Sequence, residues 1–443
     1  MSFYLNSFQQ ISIWDDTNCL TERECHLLNN SWAVPFAEII FPSIDEEPYR
    51  VLYSDKDSRP NTPVNIIIGA LLLKELNGLT DEGIFNSLLF DIRYRIALHT
   101  TSFIEQPLSD RTLSRFRERC LKYYNETGVD LLHNTIAALS ESIAEIIKAD
   151  RTLLRMDSVM VESNIKKLSR LELIYKCTSN AVKKNFNREN IPHELNHFLS
   201  GGDYNVTFYH ENANDENILK DAEIAASYLK DSKTEETDIF FRMLSEQTCE
   251  VDGKLSLSDT ANSQILQSPY DTDATFRKKL KSSHHGYVAN LIESCGNNSS
   301  VILDYQYEQN IYSDSRFLKD TVKNLGIQAS TCTLVTDGGY SGNNNTELAR
   351  ENNIILITTN LSGRKPNDYL DYRTTDEFKR FSNFRNGVEA LPSLLRRKYR
   401  IDRMPVRGKY LTQFFFGCKI GAINISKLCL FLKQSSSCVE KRK

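Results

Sequence analysis

Thr331-Cys-Thr-Leu-Val-Thr-Asp-Gly-Gly-Tyr340 is the stretch from which the fold can be worked out. Its first six residues are β-branched or apolar, the pattern of a strand, and Asp337-Gly-Gly ends that strand in a turn. Downstream, helical spacing over 344–352 leads to a second strand, Ile354-Ile-Leu-Ile-Thr358, and Thr375 is placed to cap a last helix that reaches Glu389 and beyond. Upstream, a helix is predicted over 315–325, with strands at Ser300-Val-Ile-Leu-Asp-Tyr305 and Gly286-Tyr-Val-Ala-Asn-Leu-Ile292. The earliest strand is Thr152-Leu-Leu-Arg-Met156, with Asp157 at its end. Between them, 163–182 reads as a basic helix and 211–259 as acidic and helical. The order is strand, large helical insertion, then strands alternating with helices, which predicts an α/β fold with a mixed sheet flanked by helices.

The first 60 or so residues read as irregular, with strand-like pieces such as Glu38-Ile-Ile-Phe41. Helices are then expected over 64–76 behind Pro63, over 80–90 capped by Thr80, over 92–98, over 109–120 capped by Ser109, and over 126–148. Arg111, Arg115 and Arg119 recur at four-residue steps and share one face, with Leu113 and Phe116 pointing away. That pattern fits the second helix of a helix-turn-helix DNA reader, and equally an amphipathic helix with a solvated basic face.

Apolar content of 40% and charged content of 25% are those of an ordinary soluble protein. The net charge of −4 hides an asymmetry. Residues 211–259 hold 13 acids against five bases, which excludes that block as a DNA face, whereas 379–409 hold ten Lys or Arg against two acids. The ten cysteines include no C-x-x-C pair, so free thiols in a reducing cytoplasm are expected and a structural zinc site is not. Met1-Ser-Phe-Tyr-Leu-Asn6 lacks the basic start and apolar core of a secretory leader. Residues 411–432 are long enough to span a bilayer, but they carry Gln413, Lys419, Asn424 and Lys427, so a buried helix is expected instead. Phe414-Phe-Phe416 is read as core or dimer contact.

Three acids stand at positions suited to one site: Asp157 and Asp337 after strands, and Glu389 on the last helix. Carboxylates gathered at strand ends can hold a pair of Mg²⁺ ions about 3.5–4 Å apart. Each acid alone also reads as a turn residue, a cap or an ion-pair partner. Arg385, Glu389 and Arg396 fall on one stripe of a continuous helix, and such arginines would position phosphate beside a metal. His284-His285, Asp271 and Asp273 are weaker candidates, more readily read as surface or loop residues.

Taken together, these segments resemble the bacterial insertion-sequence transposases of the DDE superfamily, in the group with an InsH-like N-terminal domain. The resemblance is carried by Leu52-Tyr-Ser-Asp-Lys-Asp-Ser-Arg-Pro-Asn-Thr-Pro-Val64, Gln106-Pro-Leu-Ser-Asp-Arg-Thr-Leu-Ser-Arg-Phe116, Met156-Asp-Ser158, Asp337-Gly-Gly-Tyr340 and Asn386-Gly-Val-Glu389, among others between about 50 and 420. It implies an RNase H-like core at 151–410 with a helical insertion at about 164–285, an all-α DNA-binding and dimerisation domain at 1–150, and a C-terminal helix and tail at 411–443. It implies Asp157, Asp337 and Glu389 as catalytic metal ligands for Mg²⁺, with Mn²⁺ as substitute. Arg385, Arg396 and Arg397 would contact DNA phosphate, and Arg111, Arg115 and Arg119 would contact the element's ends. The partners implied are inverted-repeat and target DNA, bound by a homodimer in the bacterial cytoplasm, with no membrane. Two departures stand out. Ser382 occupies the place of an aromatic found in related families. Only 28 residues, none of them cysteine, separate Asn360 from Glu389 where many relatives carry a cysteine-rich insert. An inactive DNA-binding remnant and a metal-dependent nuclease of the same fold are the alternatives.

Overall fold

The computed structural model describes residues 1–6, 19–56, 58–100, 108–210, 215–251, 253–258, 263–279, 282–296, 299–325, 331–361, 367–387 and 390–440. Helices α1 (Glu22–Asn29), α2 (Val64–Asn77), α3 (Asp81–Phe90), α4 (Ile92–Ala97), α5 (Thr112–Thr127) and α6 (Leu131–Ile146) precede strand β1 (Leu153–Glu162). The expected irregular start is helical where it is described over 36–43: Phe36–Ile40 forms a wide π-type turn and Phe41–Ser43 a 3-10 turn, with Phe36, Ile40 and Phe41 buried. Packing, not β propensity, decided that segment.

Thr80 caps α3 as expected, its side chain accepting from Gly83 N. Ser109 does not cap α5. Its Oγ lies 2.9 Å from Thr112 Oγ1, and the helix starts behind Arg111 with no side-chain cap. The helix expected over 126–148 is also corrected. Gly128, at φ +74°, ends α5 in the left-handed region, and Asp130 caps α6 by accepting from His133 N.

The insertion comprises α7 (Arg170–Asn185), α8 (Asp215–Leu229), α9 (Glu235–Gln247) and a hairpin of β2 (Thr248–Val251) and β3 (Lys254–Leu257). Helix α7 starts later than its basic run because Ser169 and Glu172 form a reciprocal capping box. The insertion has its own core, including Ile174, Ala222 and Phe240.

The main sheet is mixed and six-stranded. Strand β5 (Ser282–Gly296) runs antiparallel to β1 and pairs in succession with β4 (Thr275–Lys279) and β6 (Ser299–Gln309). After α10 (Asp314–Leu325), strand β7 (Cys332–Thr336) lies parallel to β1, and after α11 (Asn343–Glu351), β8 (Ile354–Thr358) lies parallel to β7. Helices α12 (Asn367–Tyr372), α13 (Asp376–Asn386), α14 (Ala390–Arg397) and α15 (Lys409–Glu440) complete the chain.

Successive β1 side chains alternate between the two faces of the sheet. Leu154, Met156 and Met160 pack with Phe317 and Leu318 of α10 and with Ala349 of α11. Val159 and Val161 enter the opposite core, where α14, α15 and the N-terminal helices meet the sheet. Arg155 and Asp157 keep step with that second face.

Helix α15 is long and apolar enough by composition to cross a membrane, and 72% of that apolar window is buried inside the protein, with Phe414, Phe415 and Phe416 in the core. Gln413, Lys419, Asn424 and Lys427 each meet a partner. Gln413 donates to Asp130 at 2.9 Å, Lys419 to Glu75 at 2.6 Å and Lys427 to Glu293 at 2.6 Å, while Asn424 bonds both the N–H and the C=O of Ile302. Lys419→Ala leaves buried Glu75 with only the longer contact to Lys74 at 3.6 Å, a lysine shared with Asp81, and is expected to cost about 1–3 kcal/mol. Combining Lys419→Met with Glu75→Leu removes both charges and is expected to recover most of that loss, as read from chemical denaturation midpoints.

Candidate active site

The parallel register of β1 and β7 ends with Arg155 opposite Val335, so Asp157 and Asp337 each lie two residues beyond the same last pair. Asp157 does not end its strand, contrary to expectation. It sits inside the ten-residue β1, because β5 continues to pair with β1 as far as Glu162 after β7 has stopped. Asp337 is at its expected place, as cap of the Gly338–Tyr340 turn, with Oδ1 accepting from Gly339 N at 2.8 Å.

Arg385 brings the two acids to one point. Its Nη2 lies 3.8 Å from Asp157 Oδ2 and 3.5 Å from Asp337 Oδ2, with the guanidinium side chain 11% exposed. Thr375 caps α13 as predicted, accepting from Phe378 N. Arg385 lies on α13, described to Asn386, and Arg396 on α14, described from Ala390, while Val388 and Glu389, which would join them into the expected single stripe, lie outside the described residues.

Arg396 and Arg397 are exposed and share a cavity of about 430 Å³ with Asp157, Pro392 and Ser393. Arg396 Nε is 3.8 Å from Asp402 Oδ1. Arg385 thus faces the carboxylates, while Arg396 and Arg397 form the basic wall beside Asp157. A third acid, Asp314 at the start of α10, flanks the Asp337 turn. A Cβ on Gly339 would stand 2.7 Å from Asp314 Oδ2 and 3.1 Å from Asp337 Oδ1. Burial first, then the charges of Asp314, Asp157 and Asp337, push the Tyr340 hydroxyl well above its ordinary range. It stays a neutral donor, to Asn290 Oδ1 at 2.8 Å.

Among the described residues no group of three or more His, Cys, Asp or Glu is placed to hold a metal ion. Asp157 and Asp337 supply two converging hard oxygen donors, a chemistry that fits Mg²⁺, with Glu389 needed as the third. The weaker candidates are engaged locally: His284 Nδ1 lies 2.6 Å from Glu162 Oε1, and Asp271 accepts the hydroxyls of Tyr287 and Ser163.

Arg155 was not foreseen. Its Nε donates to Glu293 Oε2 at 2.8 Å, its Nη1 donates to Phe384 O at 2.9 Å, and its guanidinium lies 5.4 Å from the Phe384 ring centre. Phe384 precedes Arg385, so Arg155 fixes the end of the helix that carries the bridging arginine. One face of the half-buried Phe384 ring is thereby taken by Arg155. Gly387 is required beside it, since a Cβ there would come within 2.6 Å of Arg155 Nη1. The period-2 step from Asp157 back to Arg155 was the signal available in sequence.

Burial alone would raise the Glu293 carboxyl, but Lys427 and then Arg155 outweigh it and hold it below the ordinary range. A depressed folded pKa stabilises the ionised state. That contribution is full above the unfolded value of about 4.3 and is lost as pH falls through the folded one. Glu293→Gln is expected to cost about 3–5 kcal/mol at neutral pH. The gap from wild type should close in acid, and a gap of constant size between neutral and acidic denaturation series would refute this account.

Residues 24–119 match a family model described as a transposase domain (DUF772). No curated protein and no solved structure matches the chain. The match runs from α1 to the middle of α5, stops before β1, and supports a transposase family.

Proposed function

We propose that the chain is an insertion-sequence DNA transposase of the DDE type, built on an RNase H-like core. The observation that carries this reading is the convergence of Asp157 and Asp337 on Arg385 beyond a shared parallel-strand register, in a chain whose N-terminal part matches a transposase domain. Three strands running parallel as β8, β7 and β1, followed by antiparallel β5 and β6, support the RNase H-like assignment.

In this reading Asp157, Asp337 and Glu389 hold Mg²⁺, or Mn²⁺ in its place. The bound metal would acidify the attacking hydroxyl and stabilise the leaving oxygen. Arg385 holds the two aspartates aimed at one point, and its planar fork suits phosphate equally well. Arg396 and Arg397 bind the backbone next to the bond that is cut. The N-terminal helices, with Arg111, Arg115 and Arg119 on α5, bind the inverted-repeat ends. A homodimer would pair two such ends before strand transfer to target DNA, in the bacterial cytoplasm at the nucleoid.

The test is cleavage of DNA carrying the ends that flank the gene, with Mg²⁺ or Mn²⁺, by wild type and by Asp337→Asn. Wild type is expected to nick at the repeat end. The variant should lose more than the roughly 10–100-fold that removing a metal ligand's outer partner costs, while still binding DNA. A variant that cuts like wild type would sink the assignment, and a wild type that binds without cutting would favour the DNA-binding remnant.

A further inference from the structure

On the basic face of helix α5, Arg111 and Arg115 are exposed and Arg119 is half-buried. Arg115 and Arg119 form one wall of a groove of about 390 Å³ whose other wall is the segment that carries Arg59, and the hydroxyls of Thr62, Ser109 and Thr112 line it as well. Arg111 is not among the lining residues. No aspartate or glutamate lines the groove among the described residues. On the same helix Arg117 is taken up by Asp81 at 2.6 Å, whereas none of Arg59, Arg115 and Arg119 has a carboxylate within 4.0 Å among the described residues. Three guanidinium groups gathered without an acid repel one another and create a field that favours an anion.

The groove is also held in shape. Arg119 lies over the Tyr53 ring at 4.8 Å, and its Nη2 reaches Met1 Sδ at 3.5 Å. The opposite wall is braced by Ser2, which donates its N–H to Arg59 O at 3.2 Å and accepts from Asn61 N at 3.0 Å. A helix that reads base edges must enter a major groove about 12 Å wide with its face bare. Arginines on a helix flanked by a second wall instead reach a group that protrudes, as a backbone phosphate does.

We propose that this groove grips the phosphodiester backbone of duplex DNA and does not read its bases. The inference rests on the transposase reading and replaces its helix-turn-helix variant with backbone clamping. The experiment is fluorescence anisotropy over a salt series. Wild type and the double variant Arg59→Ala/Arg115→Ala are each titrated with a short duplex of the flanking end and with a scrambled duplex. Both substituted side chains are exposed, so a thermal melt should match wild type. The slope of log affinity against log salt is expected to fall by about one per arginine removed. Both duplexes should weaken in the same proportion.

Loss confined to the end sequence would mean base reading and overturn the proposal. An unchanged slope in a variant that binds and cuts like wild type would overturn the groove alone. If inorganic phosphate raises the melting temperature of wild type but not of the variant while DNA binding is untouched, the groove takes small anions and the proposal also fails. A wild type that binds neither duplex would remove the transposase reading and this inference together.

Discussion

A carboxylate buried in the sheet organises the rest of the molecule. Glu293 is 3% exposed and would be intolerable there alone. It is made stable by Lys427 from the last helix and by Arg155 from the first strand of the sheet. Arg155 uses its remaining donor on the carbonyl of Phe384, one residue before the arginine that faces both aspartates. One desolvated charge therefore fixes the relative placement of three elements distant in sequence. Buried ion pairs are poor sources of net stability, because desolvation offsets attraction, but they penalise every arrangement that leaves one member unpaired. Here that penalty falls on misplacement of the helix beside the candidate site.

The strands and helices from 299 onward could be read from sequence because their apolar, β-branched runs are short and bounded by turn residues. Thr375, Thr80 and the Asp337 turn were legible for the same local reason: each satisfies backbone N–H groups within a few residues. Strand ends were less legible. Whether β1 stops at Met156 or continues depends on β5, whose pairing with it no local signal announces. The 36–43 segment looked strand-like by composition, and only its burial against other helices made it helical. The arginine stripe on α5 could be seen, but the groove could not, since its other wall comes from residues far back in the chain. The meeting of Asp157 and Asp337 followed from element order, whereas the place of Arg385 between them and the role of Arg155 required knowing where the end of α13 would land.

The C-terminal helix was legible as a core element because its polar residues were too many for lipid. The structure supplies the reason for Gln413, Lys419, Asn424 and Lys427: each is matched to specific groups on α2, α6, β5 or β6 or their caps. An apolar cylinder sandwiched between a helical layer and a sheet has no intrinsic register, and such polar contacts set its rotation and depth.

That arrangement has a consequence for how the chain reaches its native state. Lys419 and Glu75 are 344 residues apart in sequence, and the apolar faces of α2 and α6 close only over α15. Helix α2 must therefore wait, with apolar surface exposed, for a segment translated 344 residues after its Glu75. Contacts of such long range demand loop closure before they return any stabilisation, which slows folding and lengthens the window for aggregation. Newly made chains should depend on chaperones until α15 emerges.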